Sequence, residues 1–511
     1  MKKGHIILIL TLGLCVTCAW SQDSSQQPAD STPEGNPQQP APAFGPDNPA
    51  PLPADNPPIS GLDLPNLEPH AAPLSYLQPG AHISESLDSN VQNSLGGSGI
   101  HSITDATGSL ELQRLWKNYD LALDYLGGVG YYNARGVGLK QIEELGVNQK
   151  ISWKRGQLGI RDAFSYQPEG TFGSAYGSVA STGAALGGQS VFFGGTGLGE
   201  LGQVPRIMNI SLVDVVENLT PRSSVTAAGS YAFTHFLEND PVLGNSFIGN
   251  RQVSAQVGYN HVIGKHDQGA LVYGYQDFRF STGVSFQSHV IQLMWGHRIS
   301  GRLDFIIGVG PQFTELNNIL VPVAVTDLRK TDAFPPCVVA VTNSGNQIEC
   351  PRNDFRVGVA GRMQLRYQFR RASVSLSYNR FTTSGSGFFA GAQSDIATFD
   401  VNRSVGRTWT AFSDVGYSRN SRIVGSNCPA GSVTSSCTTS GVSANSYQYL
   451  FAGVGMRKQI GRTLRVYGSY QFNDLLFDNS FCQSTTPCNR ISQRHVGTIG
   501  LDWTPRPMRL D

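Results

Sequence analysis

Apolar and polar residues alternate with a period of two along most of the chain after residue 119. The clearest stretch is 355–369, where apolar residues hold one parity and Arg356, Arg362 and Arg366 hold the other. Successive side chains of a β-strand point to opposite faces, whereas a helix would scatter these arginines around its surface. The pattern therefore predicts strands with one apolar face and one polar face.

Sixteen segments fit this description, and they predict an all-β fold with antiparallel neighbours. The expected strands are 119–132, 144–154, 157–167, 208–218, 223–236, 250–263, 267–280, 285–298, 302–315, 354–369, 372–382, 395–405, 408–419, 446–459, 463–475 and 492–503. Fourteen strands are the alternative, because 144–154 and 157–167 carry the weakest alternation.

Short and long connections alternate between these segments, which is typical of an up-and-down barrel with tight turns at one end. The short connections contain a basic residue and, in all but one case, a Gly or Pro that suits a tight hairpin. They contain Arg155-Gly156, Pro221-Arg222, Gly264-Lys265, Gly301-Arg302, Arg370-Arg371, Gly406-Arg407 and Gly461-Arg462.

The first residues have the pattern of an export signal. Lys2 and Lys3 precede an apolar run, and Ala19-Trp20-Ser21 places small residues where a signal peptidase cuts. We predict that residues 1–21 are removed and that the mature chain is exported.

A Pro-rich region follows, with fifteen prolines between Pro28 and Pro79. This composition cannot bury enough apolar surface to fold, so residues 22–80 are expected to be a disordered periplasmic tether. Residues 81–118 are predicted to be a polar lead-in or a small plug, 119–503 the barrel, and 504–511 a short periplasmic tail.

Composition and charge narrow the function classes. The chain has 58 Gly and only 15% charged residues, and its formal net charge is +1. A neutral chain gives no electrostatic reason to bind nucleic acid, so no nucleic-acid partner is expected.

Six cysteines remain after the signal, and they lie in close pairs within three different long connections. The predicted disulfides are Cys337 with Cys350, Cys428 with Cys437, and Cys482 with Cys488. An exported chain permits disulfides, whereas no pair has a two-residue metal-site spacing and no His lies nearby. We therefore expect braced loops, with no metal and no cofactor.

A barrel of this size leaves an aqueous interior, so residues on the polar parity are candidates to line a pore. The candidates are Arg356, Arg362, Gln364, Arg366, Arg465, Gln471, Asn473, Asp304 and Asp400. The arginines could favour anionic solutes, or they could pair with acids such as Asp304 and Asp400 to hold the wall rigid. The sequence leaves both interpretations open.

These features resemble the outer-membrane β-barrel proteins of Gram-negative bacteria, with a porin-like size, over residues 119–503. The resemblance implies a transmembrane barrel in outer-membrane lipid. Ile499, Leu501 and Trp503 look like the C-terminal segment that the barrel-insertion machinery of that family recognises. The chain departs from the family because "TPRPMRLD" follows Trp503. The oligomeric state stays open.

The predicted function is a passive channel for small hydrophilic solutes, with anions as one option. The alternative is a structural or interaction barrel that displays disulfide-braced loops for adhesion or beside an export system. An outer-membrane hydrolase is disfavoured because no G-x-S-x-G motif occurs and the His residues are scattered. We therefore expect the protein not to be an enzyme.

Overall fold

The computed structural model describes eleven stretches of the chain, all within one compact unit, Ala41–Asp511. The stretches are 57–62, 75–91, 99–134, 136–167, 204–237, 247–323, 338–342, 345–385, 387–423, 444–479 and 489–510. Side chains within 318–352 are not described. The predicted signal peptide lies outside the described residues.

The described residues form twenty strands, which make up one antiparallel sheet. They are β1 (Tyr76–Asp88), β2 (His101–Leu115), β3 (Tyr119–Tyr132), β4 (Gly138–Ser152), β5 (Gly156–Gln167), β6 (Arg206–Thr220), β7 (Ser223–Phe236), β8 (Asn250–Val262), β9 (Asp267–Phe280), β10 (Ser285–Ser300), β11 (Leu303–Val323), β12 (Val338–Thr342), β13 (Gly345–Gln368), β14 (Ala372–Thr383), β15 (Ala392–Val405), β16 (Trp409–Arg422), β17 (Ser446–Ile460), β18 (Leu464–Phe477), β19 (Ile491–Trp503) and β20 (Met508–Arg509). Within these stretches, the structure has no helix long and apolar enough to cross a membrane.

The sheet closes into a barrel because β1 pairs with β19 in a continuous register, from Ala81 opposite Trp503 to Asp88 opposite Val496. Among the described residues, the short strand β12 pairs with β13 alone, and β20 pairs with β1 alone. Eighteen of these twenty strands therefore make the wall, in which β11 pairs with β13, the other strands pair with their neighbours along the chain, and β1 pairs with β19 at the seam.

The predicted count of sixteen strands, like its alternative of fourteen, is wrong, because β1 and β2 precede the expected start of the barrel at residue 119. In the sequence, Pro79 argues against predicting a strand at β1, because proline cannot donate a ladder hydrogen bond. The strand tolerates this proline because Pro79 pairs with β2 on one side, whereas β19 pairs with β1 only from Ala81 onward. All sixteen strands predicted from the alternation are present.

The seven short connections predicted from the sequence lie at one end of the barrel, which we call the short-turn end, and the opposite end is the long-loop end. Gly406 and Gly461 adopt the positive φ expected of hairpin glycines, at 73° and 67°. Gly264 and Gly301 are not among the positive-φ glycines, so their turns do not need the left-handed conformation that the sequence suggested. Tyr76 and Trp503 both lie at the short-turn end, as an even strand number requires.

The C-terminal tail is held against the start of the first strand. The Leu510 N–H donates to the Ser75 carbonyl at 3.0 Å, and the Gln78 amide donates to the Pro505 carbonyl at 2.9 Å. The tail therefore extends the sheet at the short-turn end beyond the residue where the wall closes.

The two faces of the wall are inverted relative to a water-soluble protein. In β8, the polar residues Gln252, Ser254 and Gln256 are buried, whereas Val253 and Val257 are 45% and 53% exposed. Buried polar groups and exposed apolar ones on alternate positions mean that the polar face points into the barrel. The hydrophobic surface is the outer one.

Candidate functional site in the barrel interior

Three of the predicted lining residues lie on the interior face of β13. Arg366 sits directly opposite Asp304 of β11, and its Nε donates to Asp304 Oδ1 at 3.1 Å, with a second contact through Nη2. Gln364 and Arg362 follow on the same parity. The Arg366–Asp304 pair is the wall-bracing arrangement that the sequence left open, so the charge of this arginine is compensated locally.

Arg356 has a different environment from the other arginines of β13. The pairing of β14 with β13 ends at Gly361, and Arg356 lies beyond that point, toward the long-loop end. Its side chain is 48% exposed and its Nε lies 3.3 Å from Asp354 Oδ2 of the same strand. Arg356 therefore lies outside the enclosed part of the interior.

The candidates on β18 all lie on its interior parity. Arg465 is buried and sits opposite Asp502 of β19. Gln471 and Asn473 follow, and the Tyr449 hydroxyl donates to Asn473 Oδ1 at 2.7 Å. In this part of the wall, Arg465 therefore lies across from an acidic residue and Asn473 is hydrogen-bonded to the neighbouring strand.

Three further sets of predicted residues complete the comparison with the sequence. Asp400 accepts a hydrogen bond from Ser375 Oγ at 3.1 Å across the β14–β15 pair. Ile499, Leu501 and Trp503 are exposed on the outer surface of β19. The predicted disulfide cysteines lie outside the described residues, except that Cys350 falls in β13, where side chains are not described.

Sequence reasoning did not select the acidic residues on β2 and β3. Glu111 lies directly opposite Asp124 on the interior face, and the Tyr76 hydroxyl donates to Glu111. Asp120 occupies the same parity, four residues nearer the short-turn end. β3 lies half-way around the wall from β13, so an acidic patch faces the arginines across the interior. Recognising β2 as a strand was the missing step.

A buried ion pair lies at the seam where the barrel closes. Arg494 Nε donates to Asp88 Oδ2 at 2.6 Å, and Nη2 contacts the same oxygen. The side chains are 4% and 0% exposed. Asp88 Oδ1 also accepts the Asn90 N–H at 2.8 Å. These contacts join β1 to β19 near the long-loop end.

Residues 57–62, with the sequence PPISGL, lie inside the barrel, and we call them the luminal segment. The Ser60 N–H donates to Asn260 Oδ1 at 3.1 Å, and the Asn260 amide donates back to Ser60 Oγ at 2.5 Å. The Gln256 amide donates to the Ser60 carbonyl at 2.8 Å. Asn260 and Gln256 are on the polar, inward face of β8, so the segment is bound by the wall.

Two side chains of the luminal segment are buried among inward-facing apolar residues. Ile59 is 6% exposed and Leu62 is 2% exposed. Ile59 clusters with Ala270, Val272, Met294 and Ile306, while the cluster of Leu62 comprises Ile210, Leu212, Ala232, Val290, Ala360 and Phe381. The Leu62 cluster joins strands from β6 to β14. The segment therefore connects parts of the wall that are far apart in the sheet.

The connection between β14 and β15 closes over the interior at the long-loop end. Its Phe388 and Phe389 are 2% and 0% exposed and belong to an aromatic cluster with residues of β17 and β18. The ring centre of Phe388 also lies 5.4 Å from the ring centre of Phe247, which precedes β8 on a distant part of the wall. We call this connection, 384–391, the aromatic loop.

Glycines allow the aromatic loop to fold inward. Gly391 has a φ of 91°, and a Cβ there would lie 2.4 Å from the Phe286 ring. The Gly387 carbonyl accepts the Ile248 N–H at 2.9 Å, and the Arg422 guanidinium lies 4.8 Å from the Phe389 ring centre. The loop is thereby tied to both sides of the barrel mouth.

The described residues contain no cluster of three or more His, Cys, Asp or Glu side chains placed to hold a metal ion. The polar groups of this interior instead suit contacts with water, hydrophilic solutes or the backbone of the chain itself.

Comparisons with known proteins give similarity in architecture only. No family model and no curated protein matches the sequence. OpdL of Pseudomonas aeruginosa is 7% identical, with 84% of this chain and 98% of that chain covered and a TM-score of 0.37. The ferric citrate transporter FecA is 12% identical over 85% of this chain, with a TM-score of 0.40. This chain covers 64% of FecA, less than two thirds of its length. Any assignment of function therefore rests on the residues of this chain.

Proposed function

We propose that this protein is an outer-membrane channel through which small hydrophilic solutes diffuse. The observation that carries the proposal is the closed wall of eighteen strands with an apolar outer face and a polar interior. Closure gives every strand of the wall a partner on both sides, and a bilayer demands such pairing of a β-structure. An apolar outer face is stable against lipid and would be a liability in water.

Aromatic residues on the outer face support a membrane setting. Trp295, Trp409 and Trp503 are exposed toward the short-turn end, while Tyr131 and Tyr417 are exposed toward the other end. Amphipathic rings prefer the two interfaces of a bilayer, and such girdles flank the apolar band of outer-membrane barrels. The short-turn end would then face the periplasm, and the long loops the outside.

The strand number supports passage through the interior. A barrel of eight strands fills its interior with side chains, whereas sixteen to eighteen strands enclose an aqueous space unless something else occupies it. Local pairs such as Arg366 with Asp304 compensate the arginines, and the acidic patch at Glu111 and Asp124 offsets them. The proposal therefore concerns small hydrophilic solutes in general, without a strong preference for anions.

The test is conductance in a planar lipid bilayer, measured with refolded protein that lacks residues 1–21. A second variant also lacks residues 57–62, so that an interior filled by the luminal segment cannot hide a channel. Steps of current that grow with salt concentration in either protein are the expected result. If both proteins are folded and inserted yet remain silent, the barrel is not a channel, and a structural or interaction role takes its place.

A further inference from the structure

We propose that the barrel interior contains a binding site for a peptide turn, and that the luminal segment occupies this site as a plug that narrows the channel. The peptide site is inferred from contacts within the barrel alone. The narrowing of a channel rests on the proposed function.

The wall is shaped to fit the luminal segment. A Cβ added at Gly258 of β8 would lie 2.5 Å from both Ser60 Cβ and Ser60 Oγ. A Cβ at Gly296 of β10 would lie 2.9 Å from Ile59 Cγ2. Both distances are shorter than a Cβ tolerates, so any larger residue would displace the segment or distort the wall. Two inward-facing glycines on different strands thus leave the space that the segment fills.

The polar contacts recognise a peptide backbone. Gln256 donates to the Ser60 carbonyl at 2.8 Å, and Arg362 Nη2 donates to the Ile59 carbonyl at 2.7 Å. Asn260 accepts from the Ser60 N–H at 3.1 Å. Each contact satisfies a main-chain group that would otherwise be buried without a partner. The site therefore binds two successive carbonyls and one N–H of a peptide turn, which the Gly61 N–H closes by donating to the Pro58 carbonyl at 2.9 Å.

Side-chain contacts add a sequence preference to this backbone recognition. The Ser60 hydroxyl lies 2.5 Å from Thr226 Oγ1 and also accepts from Asn260. Ile59 and Leu62 fill two separate apolar clusters. A ligand of this site is accordingly a short peptide with an aliphatic residue, a small hydroxyl residue, and a second aliphatic residue three positions after the first.

The apolar clusters are themselves unusual for a water-filled pore. Val272, Met294 and Ile306 lie on the interior parity of β9, β10 and β11, where a pore wall is normally polar. Each is at most 4% exposed because Ile59 covers the cluster. Removing the segment would expose this apolar surface to water. Because such exposure is unfavourable, the hydrophobic effect favours the state in which the segment is bound.

The position of the luminal segment in the barrel is tested first, by a cross-link. In the full mature chain, Ser60→Cys is combined with Thr226→Cys, because their side-chain oxygens lie 2.5 Å apart. Mass spectrometry of digested, folded protein should show a disulfide between these two positions. Single substitutions at each position serve as controls. If the double variant is folded and this disulfide does not form under oxidising conditions, the proposed position of the luminal segment is wrong.

The plug is tested next, by conductance. Gly258→Ala combined with Gly296→Ala should raise conductance roughly twofold or more, since current follows the narrowest cross-section. Gly146→Ala is the matched control. Gly146 is at an inward-facing position of β4, and a Cβ there would lie 3.8 Å or more from its nearest neighbours. The cross-linked variant should stay at low conductance and rise when a reductant is added. Unmodified protein with and without reductant controls for the other cysteines.

The outcomes separate the two proposals. Equal conductance in the glycine variant, the cross-linked variant and the variant lacking residues 57–62 would overturn the plug, even with the disulfide formed. Silence from all of them would overturn the channel function and the plug with it, while the cross-link alone decides the peptide site. Peptide PPISGL added to the variant lacking 57–62 should lower its conductance, and a scrambled peptide should not.

Discussion

The seam of the barrel offers the sharpest test of how the wall is held together. Replacing Arg494 with Leu removes both contacts to the Asp88 carboxylate, which is 0% exposed. The variant keeps the Asn90 N–H, which donates to Asp88 Oδ1 at 2.8 Å. One backbone donor does not compensate a buried negative charge, so the carboxylate is left largely unpaired in the folded barrel.

The expected loss of stability follows from this burial. Breaking a buried ion pair by removing one partner costs about 3–5 kcal/mol, because the remaining charge is desolvated without a counter-charge. An exposed pair contributes only about 0–1 kcal/mol. Arg356 and Asp354 form such a pair, with side chains 48% and 51% exposed. Arg356→Leu is therefore a matched control, with the same chemical change at an exposed site.

The measurement is urea unfolding of the refolded barrel, followed by tryptophan fluorescence. Arg494→Leu should lower the free energy of unfolding several-fold more than Arg356→Leu. The double variant Asp88→Asn with Arg494→Gln should recover most of the loss, since a neutral pair leaves no buried charge. If the Arg494 and Arg356 variants unfold at the same urea concentration, the seam pair does not stabilise the closed barrel.

Three other predictions concern the interior, the mouth and assembly. Arg366→Ser should shift the reversal potential toward cation selectivity in a salt gradient, because it leaves the Asp304 carboxylate without its partner. In protein that lacks residues 57–62, Phe389→Ala should raise conductance by roughly twofold or less, because a fully buried ring of the aromatic loop is removed at the mouth. Trp503→Ala should slow assembly into membranes severalfold in a gel-shift assay, since an interfacial anchor is lost from the closing strand.

Each of these predictions has an outcome that contradicts it. An unchanged reversal potential for the Arg366 variant would mean that the pair with Asp304 does not face the solute path. Unchanged conductance in the Phe389 variant would place the narrowest point elsewhere. A Trp503 variant that assembles at the normal rate would remove this residue from the insertion signal, and Trp409→Ala provides the comparison with another exposed wall tryptophan.

Much of the wall could be predicted because lipid constrains one face of every strand. The outward parity is apolar from Val253 to Tyr259 in β8 and from Phe355 to Tyr367 in β13, and the alternation identifies both strands from sequence alone. The first two strands lack this clarity. β1 has Pro79 and Glu85 on the outward parity, so its pattern resembles that of a polar segment. Its place in the wall depends on pairing with β2 and β19, which is a long-range contact.

The local part of the interior chemistry was also within reach of the sequence. Arg366 and Asp304 are on adjacent strands, so a correct register brings them together. The long-range contacts of the interior could not be predicted from the sequence, because Ser60 and Asn260 are separated by two hundred residues. A Pro-rich composition predicts an unfolded tether when it is considered alone. Only the complementary groove in the wall gives residues 57–62 a defined position.

One signal of that groove does exist in the sequence, and it follows from the physics of the barrel. Residues 270–273 of β9 are apolar on both parities, with Leu271 and Tyr273 exposed outside and Ala270 and Val272 buried inside. A strand that faces lipid on one side and water on the other has no reason to be apolar on both. Apolar residues on the interior parity therefore indicate that something other than water covers them. In this barrel the cover is Ile59, supplied by the chain itself.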